Sequence, residues 1–122
     1  MSVKIVIVED EIIVAWDLEQ RLQSLGYEVV GIAPTGADAI NLVKNNEVDL
    51  ILMDITLKGN LNGIETAILI KKDFDIPIVY NSANSDFKTL EEIKKTKPYK
   101  YLTKPFDDIQ LEKAINDILK LK

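Results

Sequence analysis

The 122-residue chain contains no cysteine and no histidine. Without cysteine it can form neither disulfide bonds nor thiol-based active sites, which favours a cytoplasmic location. Without histidine it has no imidazole metal ligand, no histidine general base and no phosphohistidine of its own. It also lacks an apolar run approaching the roughly 18 residues of a membrane span. Residues 1–10 show no signal-peptide pattern. We therefore expect a cytoplasmic protein that does not act at a membrane.

Basic residues are also in deficit, with 15 Lys and Arg against 20 Asp and Glu, for a net charge of −5. A surplus of negative charge argues against direct binding of nucleic acid. The length and the 47% hydrophobic content are typical of one globular domain with its own core. We expect a single domain over residues 1–122, with no internal repeat, no linker and no output domain.

Five short apolar segments indicate strands. They are VKIVIV (3–8), EVVGIA (28–33), DLILMD (49–54), PIVYNSA (77–83) and KYLT (100–103). The first, third and fourth are rich in β-branched residues and almost continuously apolar, which is typical of parallel strands buried on both faces.

Segments with helical periodicity lie between and after these strands. In the first, Val14, Leu18, Leu22 and Leu25 form an apolar stripe and Gly26 ends the helix; in the second, Thr35 and Asp38 resemble a capping box. The third covers residues 63–74, and the fourth, within 86–95, is anchored by Phe87, Leu90 and Ile93. The fifth is capped by Asp107 or Asp108 and turns Leu111, Ile115, Ile118 and Leu119 inward. Strands that alternate with helices in this way predict a (βα)5 doubly wound parallel sheet with helices on both faces.

Polar residues fall at the carboxyl ends of four of the five strands. They are Glu9, Asp10, Glu11, Asp54, Ser82 and Lys104. Each alone is more often a helix cap, a turn former or a surface residue, but sites of doubly wound sheets form at this edge. Acids such as Asp10 and Asp54 repel each other by ~4 kcal/mol at about 4 Å and an effective dielectric constant of about 20. A cation would relieve that repulsion, and oxygen ligands suit Mg²⁺.

Four motifs at these positions, IVEDE, LMDI, NSA and YLTKPF, resemble the receiver domain of two-component response regulators. The resemblance covers the whole chain in the same order and spacing. It implies a flavodoxin-like fold, similar to chemotaxis regulators, with strand order 2-1-3-4-5.

The resemblance implies the chemistry of the site as well. Asp54 would be the phosphoacceptor, and Lys104 and Ser82 would contact phosphoryl oxygens. An ionised carboxylate is already a nucleophile, so catalysis reduces to positioning and charge neutralisation and needs no histidine. The phosphoryl group would come from a sensor histidine kinase, a phosphotransfer protein or a small phosphodonor. The domain would catalyse only its own phosphorylation and slow dephosphorylation.

Metal binding and switching follow from the same resemblance. Mg²⁺ would be held by Asp10, Asp54 and the backbone carbonyl of Thr56, and Glu9 would act mainly through metal-bound water. Ser82 and Tyr101 would form the switch that reshapes the face made by the fourth helix, fifth strand and fifth helix. A partner or a second copy of the chain would bind that face. The Lys104–Pro105 peptide bond would be cis.

The chain departs from the family pattern at two places. The segment DITLKGNLNG (54–63) is one residue longer than the common form and lacks its proline, so the Thr56 carbonyl is expected to be slightly displaced. Asn81 replaces an apolar strand residue, and we expect it either to hydrogen-bond locally, which we favour, or to face a ligand. Trp16 lies off the apolar stripe of its helix and is expected at the surface.

Three other functions are compatible with this architecture. A flavodoxin-like FMN binder would need a phosphate-binding loop where this chain has EDE. An aspartyl phosphatase of the haloacid dehalogenase type would need an acid at position 56, where this chain has Thr56. A degenerate receiver would only bind partners, but it would not be expected to keep Asp10, Asp54, Ser82 and Lys104.

Overall fold

Within residues 2–83 and 87–120, which the computed structural model describes, five parallel strands alternate with five α-helices. The strands are β1 (Lys4–Val8), β2 (Glu28–Ala33), β3 (Leu50–Asp54), β4 (Ile78–Ser82) and β5 (Tyr99–Thr103). The helices are α1 (Ile12–Ser24), α2 (Gly36–Asn45), α3 (Gly63–Asp73), α4 (Phe87–Ile93) and α5 (Asp108–Lys120), and a 3₁₀ turn (Lys94–Thr96) follows α4. The sheet order is β2-β1-β3-β4-β5. This confirms the predicted fold.

Both faces of the sheet are covered. Along β3 the side chains alternate between two apolar cores. Ile51 and Met53 pack with α2 and α3, whereas Leu50 and Leu52 pack with α1 and α5. This double burial explains why the strand is apolar at each position until Asp54, the residue at which it reaches the functional edge.

The first two helices have the predicted termini. Leu18 and Leu22 of α1 are buried, and Gly26 follows the helix with a φ of 95°, a left-handed conformation that favours glycine. The Thr35 side chain accepts a hydrogen bond from the Asp38 amide at 3.1 Å, which caps α2.

Helices α3 and α5 each begin with a reciprocal side-chain cap. The Asn62 side chain accepts from the Glu65 amide at 2.8 Å, and the Asn62 amide donates to Glu65 at 2.9 Å. Asp107 and Gln110 make the same exchange at 2.7 and 2.9 Å. The predicted alternative between Asp107 and Asp108 is thus resolved in favour of Asp107. The Asn62 cap was not predicted, although an asparagine followed three residues later by a glutamate is a sequence signal for a helix start.

The fourth helix differs from its prediction. It ends at Ile93, which is 1% exposed as expected, but Leu90 is 36% exposed, so its predicted role as an anchor is wrong. The inward stripe runs from the partly buried Thr89 through Ile93 to Thr96, which turns Leu90 to the rim of the helix. Residue 86 and the side chain at 87 lie outside the described residues.

A buried chain of hydrogen bonds connects β4 to the end of α4. Thr96 Oγ1 donates to the Ile93 carbonyl at 2.7 Å and lies 2.6 Å from the Tyr80 hydroxyl. Because a threonine hydroxyl carries one proton, Tyr80 must be the donor to Thr96. Both side chains are fully buried, and burial raises the pKa of Tyr80. The Tyr99 ring packs edge-on against that of Tyr80, with centroids 6.1 Å apart.

Replacing Tyr80 with phenylalanine is expected to lower the free energy of unfolding by about 1–2 kcal/mol. The variant keeps the ring and loses one buried hydrogen bond, while Thr96 retains its bond to Ile93. Urea unfolding at fixed pH would measure the difference. Tyr99→Phe is the matched control, because its hydroxyl is outside this chain of bonds. Equal stability of Tyr80→Phe and wild type would contradict the prediction.

Candidate functional site

The strand register brings the predicted acids together at the carboxyl edge of the sheet. Val8 of β1 is paired with Met53 of β3, so the next residues, Glu9 and Asp54, lie side by side. Glu9, Asp10 and Asp54 each offer one carboxylate oxygen, and these oxygens lie within 4.8 Å of one another. Glu9 and Asp54 are buried, whereas Asp10 is partly exposed. The cluster therefore opens to solvent on the side of Asp10.

The two oxygens of Asp54 have different partners. Oδ1 accepts hydrogen bonds from the Thr56 amide at 3.0 Å and from the Thr56 hydroxyl at 3.1 Å. Oδ2 lies 3.5 Å from the Lys104 ammonium. The sequence indicated Thr56 only for its backbone carbonyl, so the hydroxyl contact is an addition. Oδ1 is thus held by a residue two positions along the chain, and Oδ2 faces the Lys104 ammonium.

Lys104 reaches the acids from the far side of β4. Its amide donates to the Ser82 carbonyl at 2.9 Å, which places the residue just beyond β5. Its ammonium lies 3.3 Å from Glu9 Oε1 and 3.5 Å from Asp54 Oδ2. The Lys104–Pro105 peptide bond is cis, as the resemblance implied, and so is Lys97–Pro98. Among the described residues, the cluster combines three carboxyl groups with the Lys104 ammonium, which pairs with two of them.

Burial raises the pKa of Glu9 from its ordinary 4.5 to about 7. The side chain is 2% exposed, so its ionised form loses hydration. The charge of Asp54 raises the pKa further, while the hydrogen bond from the Glu11 amide and the charge of Lys104 lower it. Near neutral pH the site without metal therefore binds a proton that an exposed glutamate would release.

The segment between β3 and α3 contacts the site directly. The Lys58 amide donates to Asp10 Oδ2 at 3.1 Å, and the Gly63 amide donates to the Ile55 carbonyl at 3.0 Å. A Cβ at Gly63 would collide with the carbonyl oxygen of Asp54, so only glycine allows α3 to start so close to β3. This loop thus supplies one backbone donor to the acidic cluster.

Ser82 and Tyr101, the predicted switch residues, lie on the neighbouring strands. Ser82 ends β4 and is 1% exposed, one residue beyond Asn81, which is paired with Asp54. Tyr101 is partly buried on β5 and packs against the core formed with α2 and α3. In the register of β4 with β5, Ser82 is paired with Thr103, two residues beyond Tyr101. The two side chains therefore face the same side of the sheet, one pleat apart.

Asn81 is buried near the carboxyl end of β4. It is 1% exposed, and its side-chain oxygen has no hydrogen-bond partner within the part of the chain that the structure describes. The expected local hydrogen bond is therefore wrong for this oxygen. In the middle of a sheet the nearby backbone donors are used by the strand ladders, so a strand asparagine cannot reach them as it can in a turn.

Three exposed apolar side chains border the acidic segment. Trp16 is at the surface as expected, at 56% exposure, but Ile12 and Ile13 of the same helix are also exposed, at 51% and 76%. The sequence carried a signal for this patch, since both isoleucines follow EDE and lie off the inward stripe of α1.

Comparison with known proteins gives a consistent result. Residues 5–116 match the family model described as the response regulator receiver domain. The chain is 31% identical over 121 residues to the phyllosphere-induced regulator PhyR of Methylorubrum extorquens, covering 98% of this chain and 44% of that protein. It is 34% identical over 112 residues to the transcriptional regulatory protein PdtaR of Mycobacterium tuberculosis, covering 92% and 54%. The chain thus spans about half the length of these relatives.

Solved structures show the same similarity. The signal receiver domain of a modulated diguanylate cyclase from Desulfovibrio desulfuricans superposes with a TM-score of 0.92 at 31% identity, over 99% of this chain and 96% of that one. The receiver domain of a Pseudomonas aeruginosa sensor histidine kinase, described with magnesium in its active site cleft, gives a TM-score of 0.86 at 27% identity, over 98% of this chain and 99% of that one.

In the parts of the chain described, no helix is both long enough and apolar enough to cross a membrane. The chain belongs to the response regulator receiver domain family.

Proposed function

We propose that this receiver accepts a phosphoryl group on Asp54, from the phosphohistidine of a sensor kinase or phosphotransfer protein. The observation that supports this most directly is the asymmetry of the Asp54 carboxylate. Thr56 fixes Oδ1, while Oδ2 faces the Lys104 ammonium at 3.5 Å. A buried carboxylate that is oriented and faces a cation is prepared for attack on an anionic phosphoryl group.

The donor set fits a divalent cation. Glu9, Asp10 and Asp54 provide three oxygens within 4.8 Å of one another, and hard oxygen ligands are those that Mg²⁺ prefers. Asp10, Asp54 and the Thr56 carbonyl would hold the ion, with Glu9 acting through water. Bound there, Mg²⁺ would neutralise the repulsion between the acids and the incoming phosphoryl oxygens.

Three side chains of the protein have separate roles in the transfer. An oxygen of Asp54 attacks phosphorus and forms the acyl phosphate, while the phosphorus–nitrogen bond of the donor breaks and its electrons stay on the imidazole. The Lys104 ammonium pairs with a phosphoryl oxygen, and the Ser82 hydroxyl donates to another. Water later cleaves the acyl phosphate slowly, which returns the site to rest.

A protein donor is supported by the surface beside the site. Ile12, Ile13 and Trp16 expose apolar surface on the first turns of α1, next to the acidic segment. Exposed apolar side chains grouped at the rim of a site are typical of a docking surface for another protein. The net charge of −5 does not favour nucleic acid as that partner.

The phosphoacceptor assignment is tested by incubation with acetyl phosphate and Mg²⁺. The intact mass is expected to increase by one phosphoryl group, and hydroxylamine should remove it because it cleaves acyl phosphates. EDTA and Asp54→Asn should each abolish the gain. Asp75→Asn, which alters an exposed aspartate away from the cluster, should label normally. Equal labelling of Asp54→Asn and wild type would refute the assignment.

We further propose that phosphorylation reshapes the face formed by α4, β5 and α5, where a partner or a second copy then binds. Among residues 88–93 of α4, only Ile93 is fully buried, so this helix is weakly held. Movement of Ser82 toward the phosphoryl group would alter the space that Tyr101 occupies one pleat away.

Beryllofluoride, which mimics the phosphoryl group, is expected to change amide exchange mainly within residues 87–103. The change should require Mg²⁺ and disappear in Asp54→Asn, and sedimentation would show whether a dimer forms. Changes confined to residues 54–63 would argue against the switch.

A further inference from the structure

The connection between β5 and α5 begins with Lys104, whose ammonium would pair with a phosphoryl oxygen in the proposed transfer. Lys104 follows the last strand residue, and its amide makes a ladder-type bond to the Ser82 carbonyl. Its ammonium must then span β4 to reach Glu9 and Asp54, at 3.3 and 3.5 Å. At these separations a displacement of about 1 Å would break both contacts, and misplacements of that size can cost about 100-fold in rate.

Arg21 of α1 binds this connection through three contacts, which we call the clamp. It is the single arginine of the sequence. Its Nε donates to Asp108 Oδ1 at 2.6 Å, and its Nη2 donates to the Phe106 carbonyl at 2.8 Å. The centre of the guanidinium lies 4.9 Å from the centroid of the Phe106 ring. A planar, forked cation can make these three contacts together, whereas a lysine ammonium cannot.

Apolar packing also holds the connection, since Phe106 is partly buried against the core formed with α1 and α5. A cavity of about 400 Å³ lies between α1 and the connection, with Val14, Arg21, Lys104 and Phe106 among its lining residues. This space leaves the contact between α1 and the connection partly open beside Arg21. Arg21 bridges the two segments, and its side chain is 22% exposed, so its charge interactions are partly shielded from solvent.

We propose that Arg21 is a positioning residue for phosphoryl transfer, which fixes the backbone two residues beyond Lys104 and so holds the Lys104 ammonium between Glu9 and Asp54. This inference rests on the proposed function. It assigns to α1 a role in the geometry of the site in addition to its role in the core.

Arg21→Met tests the proposal in the acetyl phosphate assay at saturating Mg²⁺. Methionine keeps an unbranched side chain and removes all polar contacts. The maximum rate of phosphorylation is expected to fall roughly tenfold, because the ammonium is misplaced. The affinity for Mg²⁺, measured without phosphodonor, should not fall, because Arg21 does not hold the predicted ligands and withdrawal of the ammonium from Asp54 removes a competing positive charge. A wild-type rate would overturn the proposal, and so would a parallel loss of Mg²⁺ affinity.

Three further variants distinguish the effect of the clamp on the phosphorylation rate from effects of charge alone and of partial unfolding. Asp17→Asn removes only the weak 3.8 Å pair of Arg21 with its own helix and should leave the rate unchanged. Asp108→Asn weakens one arm of the clamp, and Arg21→Lys keeps the charge without the fork, so both should be intermediate. If Arg21→Lys equals wild type, charge alone acts and positioning is refuted. Each rate is compared at a temperature at which urea curves show a fully folded protein.

A readout independent of activity distinguishes failure of this inference from failure of the proposed function. The side-chain ammonium resonance of Lys104 can be assigned by NMR from its loss in Lys104→Met. In Arg21→Met it should move toward the position of an exposed lysine, while Asp17→Asn leaves it in place. If the wild type accepts no phosphoryl group but the resonance moves, the proposed function fails and the positioning of Lys104 stands. If it does not move, the positioning role is refuted.

Discussion

In EDTA at pH 8, Glu9→Gln is expected to be about 3 kcal/mol more stable than the wild type. Burial raises the pKa of Glu9 from 4.5 to about 7 in the folded protein, and each pKa unit corresponds to about 1.4 kcal/mol. Between those two pH values the folded chain binds a proton that the unfolded chain has released. The wild type therefore loses stability as the pH rises from about 4.5 to about 7, and glutamine does not.

The sign of the pH dependence is the sharper part of this prediction. Below about pH 4.5 both states carry a neutral residue 9, and the variant should gain little. The gain should grow through the window up to pH 7 and then level off. Urea unfolding at pH 4.5, 6 and 8 would measure it. Glu11→Gln is the matched control, because Glu11 is exposed. A constant difference across pH would contradict the buried-acid interpretation.

Magnesium should diminish the advantage of Glu9→Gln. A bound cation stabilises the ionised form of a neighbouring carboxylate and binds only the folded site. If Glu9 contributes to metal binding through water, the wild type should gain more from millimolar Mg²⁺ than the variant does. The acid that weakens the metal-free fold would then be the one that strengthens the metal-bound fold.

One property of the sequence was enough to predict both the fold and the position of the acids. Parallel strands buried on both faces are nearly continuous apolar runs, and the ends of such runs meet at one edge of the sheet. Asp10, Asp54 and Lys104 could therefore be assigned to one site from their positions alone. The family resemblance added the roles of these residues.

Other contacts could not be predicted, because they depend on how loops and side chains cross between elements. The Lys58 amide meets Asp10 across 48 positions, and Arg21 meets Asp108 across 87. Neither pairing follows from periodicity. Leu90 failed as an anchor because a seven-residue helix turns only one narrow stripe inward, and composition does not reveal which. Within the described part of the chain the buried oxygen of Asn81 has no hydrogen-bond partner, which shows the same limit at a single strand position.

Asp54→Asn is expected to stabilise the metal-free protein by about 1–3 kcal/mol, the range for relief of a partly buried contact between like charges. Asparagine keeps the shape of the side chain, and its oxygen can still accept from the Thr56 amide and hydroxyl. The repulsion with Glu9 is removed. The contact to Lys104 is lost, but at 3.5 Å it is long, and Lys104 keeps its pair with Glu9 at 3.3 Å. The balance therefore favours the variant.

The measurement is a pair of urea unfolding curves at pH 8, where Glu9 is ionised, and at low ionic strength, first in EDTA and then in millimolar Mg²⁺. The metal should reverse the ranking in part, since an ion at about 100 times its dissociation constant adds about 2.7 kcal/mol to the wild type. The double variant Glu9→Gln/Asp54→Asn should gain less than the sum of the two single gains, because each change relieves the same repulsion. If Asp54→Asn is less stable than wild type in EDTA, Asp54 acts as an ordinary structural residue. Strictly additive gains would show that the two carboxylates do not interact across the β1–β3 register.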